Sequence, residues 1–480
     1  MRIYFLGICG TAMGNVACLL KEMGDTVAGS DRGIYPPMSD TLAAAGIPVW
    51  PEFDVEAMEA WNPDLVVVGN AMTRGNTVVE HLLETRSRRF VSLPELVRER
   101  LLASRHSVVV AGTHGKTTAA AMTATLLERL GAGPGWLIGG VPRSLESGCA
   151  AGGAEAPFVI EGDEYDSAFF DKRSKFIHYA PRTLVLNNLE FDHADIFRDL
   201  EDVRRSFSHL LKLVPGGGAV LYNGDDAELA KLLPVRWARC HRVGFGEGNA
   251  LRIRDYEEGR GGSRFDLVWE GTPLGSIEWG LGGAFNARNG AMAVLAAALA
   301  TGRADPRGVE VGLLNGFEGV RRRQEIRYSG SGVRVVEDFG HHPTAVGQVL
   351  ESMRSRYPGS RVWACFEPRS NTSATSVMQA EWAGALAGAE RVWIGPIFRE
   401  ADLPPAIRLD RERLVRELEA DGVSAMATPT YAAMEEAVLS ALAEGGAEDR
   451  TVIFFSNGSF GRALDHLVAA LEAGEDVRGV

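Results

Sequence analysis

The sequence predicts an α/β protein in three blocks, residues 1–104, 105–325 and 326–480, each carrying strand patterns that alternate with helix patterns. Three observations predict it. A chain of 480 residues exceeds what one hydrophobic core supports. Short apolar runs separated by helix-period segments recur along its length, the mark of open parallel sheets. Two of those runs, the first near the N-terminus and the second at residue 107, end in glycine-rich loops that open directly into a helix pattern.

The first block opens with Arg2–Leu6, a buried-strand pattern. Gly7-Ile-Cys-Gly-Thr-Ala-Met-Gly14 follows, then an amphipathic helix ending near Gly24, then a strand from Asp25 to Ala28 that runs on to Asp31. Strand, loop, helix and strand with an acid after the second strand is a nucleotide-binding layout. The glycines do not follow the Gly-x-Gly-x-x-Gly spacing, which weakens a dinucleotide reading. The loop amides suit a phosphate or diphosphate, and tight strand–helix packing without a ligand explains the same glycines. Asp64–Val68 predicts a further strand, leading to Gly69 and Asn70.

The second block carries the most specific signal. The run Ser107–Val110 ends in Ala-Gly112-Thr113-His114-Gly115-Lys116-Thr117-Thr118, and a helix pattern continues from Ala119 to Leu130. Backbone amides at such a helix start face a triphosphate, the lysine reaches β/γ oxygens, and the first threonine suits Mg²⁺. The general pattern has a glycine where Val110 stands. Pro157–Ile160 predicts a strand delivering Glu161-Gly-Asp-Glu-Tyr-Asp166, and Thr183–Leu186 one delivering Asn187-Asn-Leu-Glu-Phe-Asp-His193. Groups at the carboxyl ends of parallel strands gather at one edge. Thr117, Glu161 and His193 are therefore candidate metal ligands around a triphosphate. A solvated acidic turn and an ordinary histidine are the competing readings. Arg252–Trp279 alternates and is glycine-rich, predicting hairpins in a small subsidiary sheet. An Ala-rich helix ending at Ala300 follows Gly282-Gly-Ala-Phe-Asn286-Ala-Arg-Asn289.

The third block has β-like runs at Val333–Val336, Arg361–Phe366, Arg391–Ile394 and Thr451–Ser456, predicting another open parallel sheet. Their ends carry Asp338-Phe-Gly-His-His342-Pro, Glu367-Pro-Arg369-Ser-Asn-Thr372 and Ser456-Asn-Gly-Ser-Phe-Gly461. Taken alone, His341 and His342 are turn polarity before a proline. A net charge of −13 gives no broad footprint for nucleic acid. Five scattered cysteines without a Cys-x-x-Cys exclude a zinc ribbon and point to reduced thiols. The N-terminus lacks signal-peptide character, and the apolar run Ala291–Ala300 is too short to span a bilayer. A cytoplasmic enzyme is expected.

Laid in order, these motifs resemble the Mur ligase family, ATP-dependent amide-forming enzymes of peptidoglycan synthesis. The resemblance covers nearly the whole chain. Gly69–Asn76, Ala168–Phe176, Asn187–Phe197 and Glu367–Thr372 are most similar to the branch holding the alanine-adding and the recycling ligases, and to the recycling one of the two. The implied architecture is a Rossmann-like N-terminal domain, a central P-loop ATPase-type domain and a Rossmann-like C-terminal domain. The implied reaction joins UDP-N-acetylmuramate to the tripeptide L-Ala-γ-D-Glu-meso-diaminopimelate, with ATP and Mg²⁺.

The resemblance also implies roles. Gly7, Cys9, Gly10, Thr11, Gly14, Asp31 and Asn70 would bind the UDP-sugar. Gly112 to Thr118, Asn286, Asn289, Arg323 and Asp338 would bind ATP. Lys116, Glu161 and His193 would be catalytic, with Thr117, Glu161 and His193 holding two Mg²⁺ ions. Arg369 and His342 would face the peptide. Phe285 replaces the family's usual histidine, Gly340 its alanine and Ser459 its glycine. No lysine lies between His193 and Leu211, so the carbamoylated lysine of later-acting members is not expected. No obligate protein partner is implied. The alternatives are the alanine-adding reaction, a UDP-sugar-binding protein without turnover, and a nicotinamide-dependent dehydrogenase. The second phosphate loop and the Gly7–Gly14 spacing oppose the last.

Overall fold

The computed structural model describes residues 1–444 and 448–476; the end of the third predicted block, 477–480, lies outside them. Among the described residues three large sheets carry the chain, beside a two-stranded hairpin of Asp166–Ala168 and Asp171–Ser174. The first is five-stranded and wholly parallel, in the order Val49–Trp50, Thr26–Ser30, Arg2–Leu6, Leu65–Val68, Arg89–Ser92. Ile3 to Leu6 and Val66 to Val68 are buried on both faces, which is why these strands are continuous apolar runs. At the central strand's carboxyl end Gly7 turns the backbone at φ +84°, and the helix Thr11–Glu22 starts after Gly10. The Asp31 carboxylate accepts the amides of Cys9 (2.9 Å) and Gly33 (2.9 Å), tying the second strand's end to the loop.

That junction tolerates no added atom. A Cβ on Gly29 would stand 2.5 Å from the Phe5 carbonyl oxygen and 2.8 Å from Ile8 Cδ1. Gly29→Ala is expected to cost about 1–3 kcal/mol through overpacking. Thermal unfolding checks this, and an unchanged Tm would show that the loop yields freely.

The second sheet has ten strands. Its parallel centre runs Ala219–Asn223, Thr183–Leu186, Ser107–Ala111, Phe158–Glu161, so the three site-bearing strands are direct neighbours. The hairpins at Leu251–Gly259, Gly262–Trp269 and Thr272–Trp279 form as predicted, but not as a subsidiary sheet. They extend the same sheet, because Val243 and Gly244 pair in parallel with Leu251 and Arg252. The helices Lys116–Arg129 and Ala284–Ala300 pack side by side under this sheet. Ala119, Ala120, Ala121 and Ala124 on one and Ala291, Ala293, Ala296, Ala297 and Ala298 on the other are buried, and their small side chains allow that close approach.

The third sheet has six strands in the order Glu325–Gly330, Val333–Asp338, Arg450–Phe455, Arg361–Phe366, Arg391–Ile394, Ser424–Ala427. It is parallel except for Glu325–Gly330, an antiparallel edge strand. The two edge strands escape the sequence reading because Glu-Ile-Arg-Tyr-Ser-Gly and Ser-Ala-Met-Ala are half exposed and carry no apolar run.

Candidate active site

A cavity of about 1440 Å³ lies over the carboxyl ends of the central strands, lined by groups from all three predicted blocks, among them Thr11, Lys116, Glu161, His193, Arg323 and Asp338. Its floor is the loop Gly112–Gly115. Gly112 (φ +130°) and Gly115 (φ +79°) take conformations that L side chains rarely adopt, and a Cβ on Gly115 would lie 2.9 Å from Asn187 Nδ2. Asn188 props the loop: its Oδ1 accepts the His114 amide (2.7 Å) and its carbonyl accepts the Thr113 amide (3.2 Å). Thr118 is buried in the first turn of the helix that follows.

Lys116 donates to the carbonyls of Gly112 (2.7 Å) and Thr113 (3.2 Å) and pairs with Glu164 at 2.8 Å. Burial works against its charge, but Glu164, Glu161 and Asp163 outweigh burial and hold its pKa above the ordinary value. Burial pushes the Glu164 carboxyl up to about 7, with Lys116 pulling it back. Thr117 Oγ1 donates to Glu161 Oε1 at 2.9 Å, and Glu161 Oε2 accepts the Gly139 amide at 2.8 Å. Neighbouring oxygen ligands of an octahedral Mg²⁺, each about 2.1 Å from the ion, stand roughly 3 Å apart. The Thr117–Glu161 pair therefore fits that ion. His193 has its ring 4.4 Å from Tyr165, and burial lowers its pKa, leaving the neutral imidazole that a metal requires.

Arg323 reaches to 3.5 Å from Thr117 Oγ1 and lies over the Phe339 ring, so a cation from the third block's border faces the Thr117–Glu161 pair. Asp338 accepts the amides of Gln324 (2.8 Å) and Gly340 (2.7 Å) and so fixes the turn that carries Arg323. Asn286 donates to the Gly282 carbonyl (2.7 Å), and Asn289 Oδ1 accepts from Asn187 (3.0 Å), joining the Ala-rich helix to the phosphate loop's support. Phe285 packs against the third block's core.

The other predicted residues lie further out. Thr11 lines the cavity, whereas Gly7, Cys9, Gly10, Gly14 and Asp31 build the loop behind it. Gly14 sits against Met38 with no room for a Cβ, and Asn70 is exposed beyond the neighbouring strand. Arg369 stacks on Phe398 (3.6 Å) and pairs with the buried Glu367 at 3.4 Å. His342 has partners of its own. It caps the helix Pro343–Arg356, accepting the Thr344 amide at Nδ1 (3.3 Å), and its Nε2 donates to the Phe191 carbonyl (3.1 Å). Its ring lies 4.4 Å from that of His114, and Glu190 stands near both.

Sequence reading missed several groups here. Glu164 lay inside the singled-out run Glu161–Asp166, and the counter-charge demanded by a buried lysine was the signal that could have found it. Glu190, Asp192 and Thr372 were inside quoted stretches, but their contacts span long sequence separations.

Family models for "Mur ligase family, catalytic domain", "Mur ligase middle domain" and "Mur ligase, glutamate ligase domain" match residues 2–99, 110–298 and 321–458. The UDP-N-acetylmuramate–L-alanyl-γ-D-glutamyl-meso-2,6-diaminoheptandioate ligase of Escherichia coli (strain K12) is 42% identical over 398 residues, 82% of this chain and 84% of that one. The chain belongs to the Mur ligase family. The Haemophilus influenzae ligase of the same name is 38% identical over 466 residues, 96% of this Mur ligase and 97% of its relative. A murein peptide ligase from Psychrobacter arcticus 273-4 superposes with a TM-score of 0.70 at 32% identity, covering 98% of both chains. Several relatives named UDP-N-acetylmuramate–L-alanine ligase are 30–32% identical. Among the described residues, no helix of this Mur ligase is long and apolar enough to cross a membrane.

Proposed function

We propose that this Mur ligase joins the lactyl carboxylate of UDP-N-acetylmuramate to the amine of L-Ala-γ-D-Glu-meso-diaminopimelate, using ATP, as a recycling step of peptidoglycan metabolism in the cytoplasm. The observation that carries the reading is the higher identity to two ligases named for that tripeptide, 42% and 38%, against 30–32% for relatives named for L-alanine. In this reading residues 1–104 hold the UDP-sugar, 105–325 hold ATP and 326–480 receive the peptide, with Arg369 toward it.

The chemistry is dominated by charge. A carboxylate is a poor acyl donor because oxide is its leaving group. Its attack on the γ-phosphorus releases ADP and leaves an acyl phosphate; the peptide amine then attacks the acyl carbon, loses a proton and expels phosphate. Lys116 and Arg323 would face the converging anions and offset their repulsion. Thr117, Glu161 and His193 would hold Mg²⁺, which when bound polarises phosphoryl oxygens. The Gly112–Gly115 amides orient the phosphates at the helix start.

The test is ADP release with ATP, Mg²⁺ and UDP-N-acetylmuramate, in parallel with the tripeptide, with L-alanine or with no acceptor, and mass detection of the product. Turnover with tripeptide and not with alanine is expected. Turnover with alanine alone would move the chain to the alanine-adding reaction. Tight UDP-N-acetylmuramate binding without ATP turnover would make it a binding protein, a reading opposed by the intact Lys116, Thr117, Glu161 and His193.

A further inference from the structure

The loop that delivers His193 is held from outside its own domain. Its backbone at His193 has φ +55°, a conformation uncommon outside glycine and found where surrounding structure imposes it. The residues on either side show what imposes it. Asp192 Oδ1 accepts the His193 amide at 2.7 Å and the Thr372 hydroxyl at 2.7 Å. The same Thr372 oxygen accepts the Ala194 amide at 3.3 Å. One hydroxyl therefore bridges the residues before and after His193, and both Asp192 and Thr372 are at most 3% exposed. Flanking contacts come from the same side of the cleft: Thr344 Oγ1 donates to Glu190 (2.6 Å), His342 donates to the Phe191 carbonyl (3.1 Å), and Asn371 donates to Asp195 (2.7 Å). All of these partners belong to segments attached to the third sheet. His193, between these held residues, lines the cavity with its ring against Tyr165.

We infer that Thr372 is a positioning residue: docking of the C-terminal domain, through the Thr372–Asp192 clamp, sets His193 in its left-handed, cavity-facing conformation and so completes the metal site. The inference rests on the reading of His193 as a metal ligand given above. It makes the second metal position conditional on the C-terminal domain being seated, so that phosphoryl transfer and peptide delivery share one assembled state. The clamp needs a hydroxyl that both donates and accepts, which serine supplies and valine does not.

The experiment is Mn²⁺ titration followed by electron paramagnetic resonance, with full-length enzyme, UDP-N-acetylmuramate and a non-hydrolysable ATP analogue. Wild type, His193→Ala, Thr372→Val and Thr372→Ser are compared. Groups that orient a metal ligand commonly change affinity by about 10–100-fold when removed. Thr372→Val is expected to weaken the His193-dependent Mn²⁺ class by at least about 10-fold with KM for ATP unchanged, and Thr372→Ser to restore it to within about two-fold. A Thr372→Val enzyme that binds Mn²⁺ as wild type does would overturn the inference and leave the metal assignment standing. A wild-type titration with no His193-dependent class would overturn both. Circular dichroism and Tm of Thr372→Val identify misfolding, in which case Asp192→Ala decides: it removes the oxygen that accepts from both Thr372 and the His193 amide and is expected to reproduce the loss.

Discussion

Lys116→Ala is expected to lower kcat for ADP release by about 10³-fold or more, the scale seen when a preorganised charge is removed from a developing anion. The lysine sits at the start of the phosphate-loop helix, on two loop carbonyls and one buried carboxylate. Removing it leaves Glu164 buried without a counter-charge. An unpaired buried carboxylate is costly, so Glu164 will take up a proton rather than stay ionised. Its pKa already stands near 7 with the lysine in place. In the variant it rises further above the unfolded value, so the variant's stability increases as pH falls from neutrality toward 4.5, opposite to a salt-bridged acid. Adding Glu164→Gln removes the second charge. The double variant should be as inactive as Lys116→Ala but more stable at pH 8, with a Tm that no longer climbs on acidification. Near-normal ADP release by Lys116→Ala would show that the phosphate site lies elsewhere.

The strand–loop–helix unit at Ser107–Arg129 was legible because its signal is local: an apolar strand, glycines at two positive-φ positions, and a helix start within one short stretch. Glu161 and His193 were legible as neighbours because parallel strands place their carboxyl ends at one edge, whatever the loops between them do. The rest depends on contacts between residues far apart in sequence. Glu164 meets Lys116 across 48 residues and Thr372 meets Asp192 across 180. Nothing in either local pattern announces the other. The continuity of the hairpins with the central sheet rests on two residue pairs at one strand's end, too small a feature for periodicity to reveal. His342 also has a structural part that sequence alone did not reveal. A histidine before a proline is well suited to cap a helix, and that geometry sets its ring beside His114, a contact across far-apart segments.

Glu161→Gln separates charge from shape at the other side of the cavity. The amide keeps both contacts of the carboxylate: its oxygen accepts the Gly139 amide, and its nitrogen donates to Thr117 Oγ1, reversing the present bond. Fold and loop position are therefore expected to survive, with Tm within a degree or two of wild type on the order expected for an isosteric swap. What is lost is the negative charge. Mg²⁺ prefers hard anionic oxygen and is held by few protein ligands in nucleotide sites, so exchanging carboxylate for amide weakens one of a small set. Several kcal/mol of transition-state stabilisation can pass through such an ion, and each ~1.4 kcal/mol is a factor of ten in rate. A fall in kcat of about 10²-fold or more is expected, together with a higher Mg²⁺ concentration for half-maximal rate and partial recovery at high Mg²⁺. The steady-state rate against Mg²⁺ decides it. A variant that is slow at every Mg²⁺ concentration with an unchanged half-maximal point would make Glu161 a structural brace between Gly139 and Thr117, and the ion's ligands would then have to be sought among other carboxylates that line the same cavity, such as Asp163, Glu164 and Asp192.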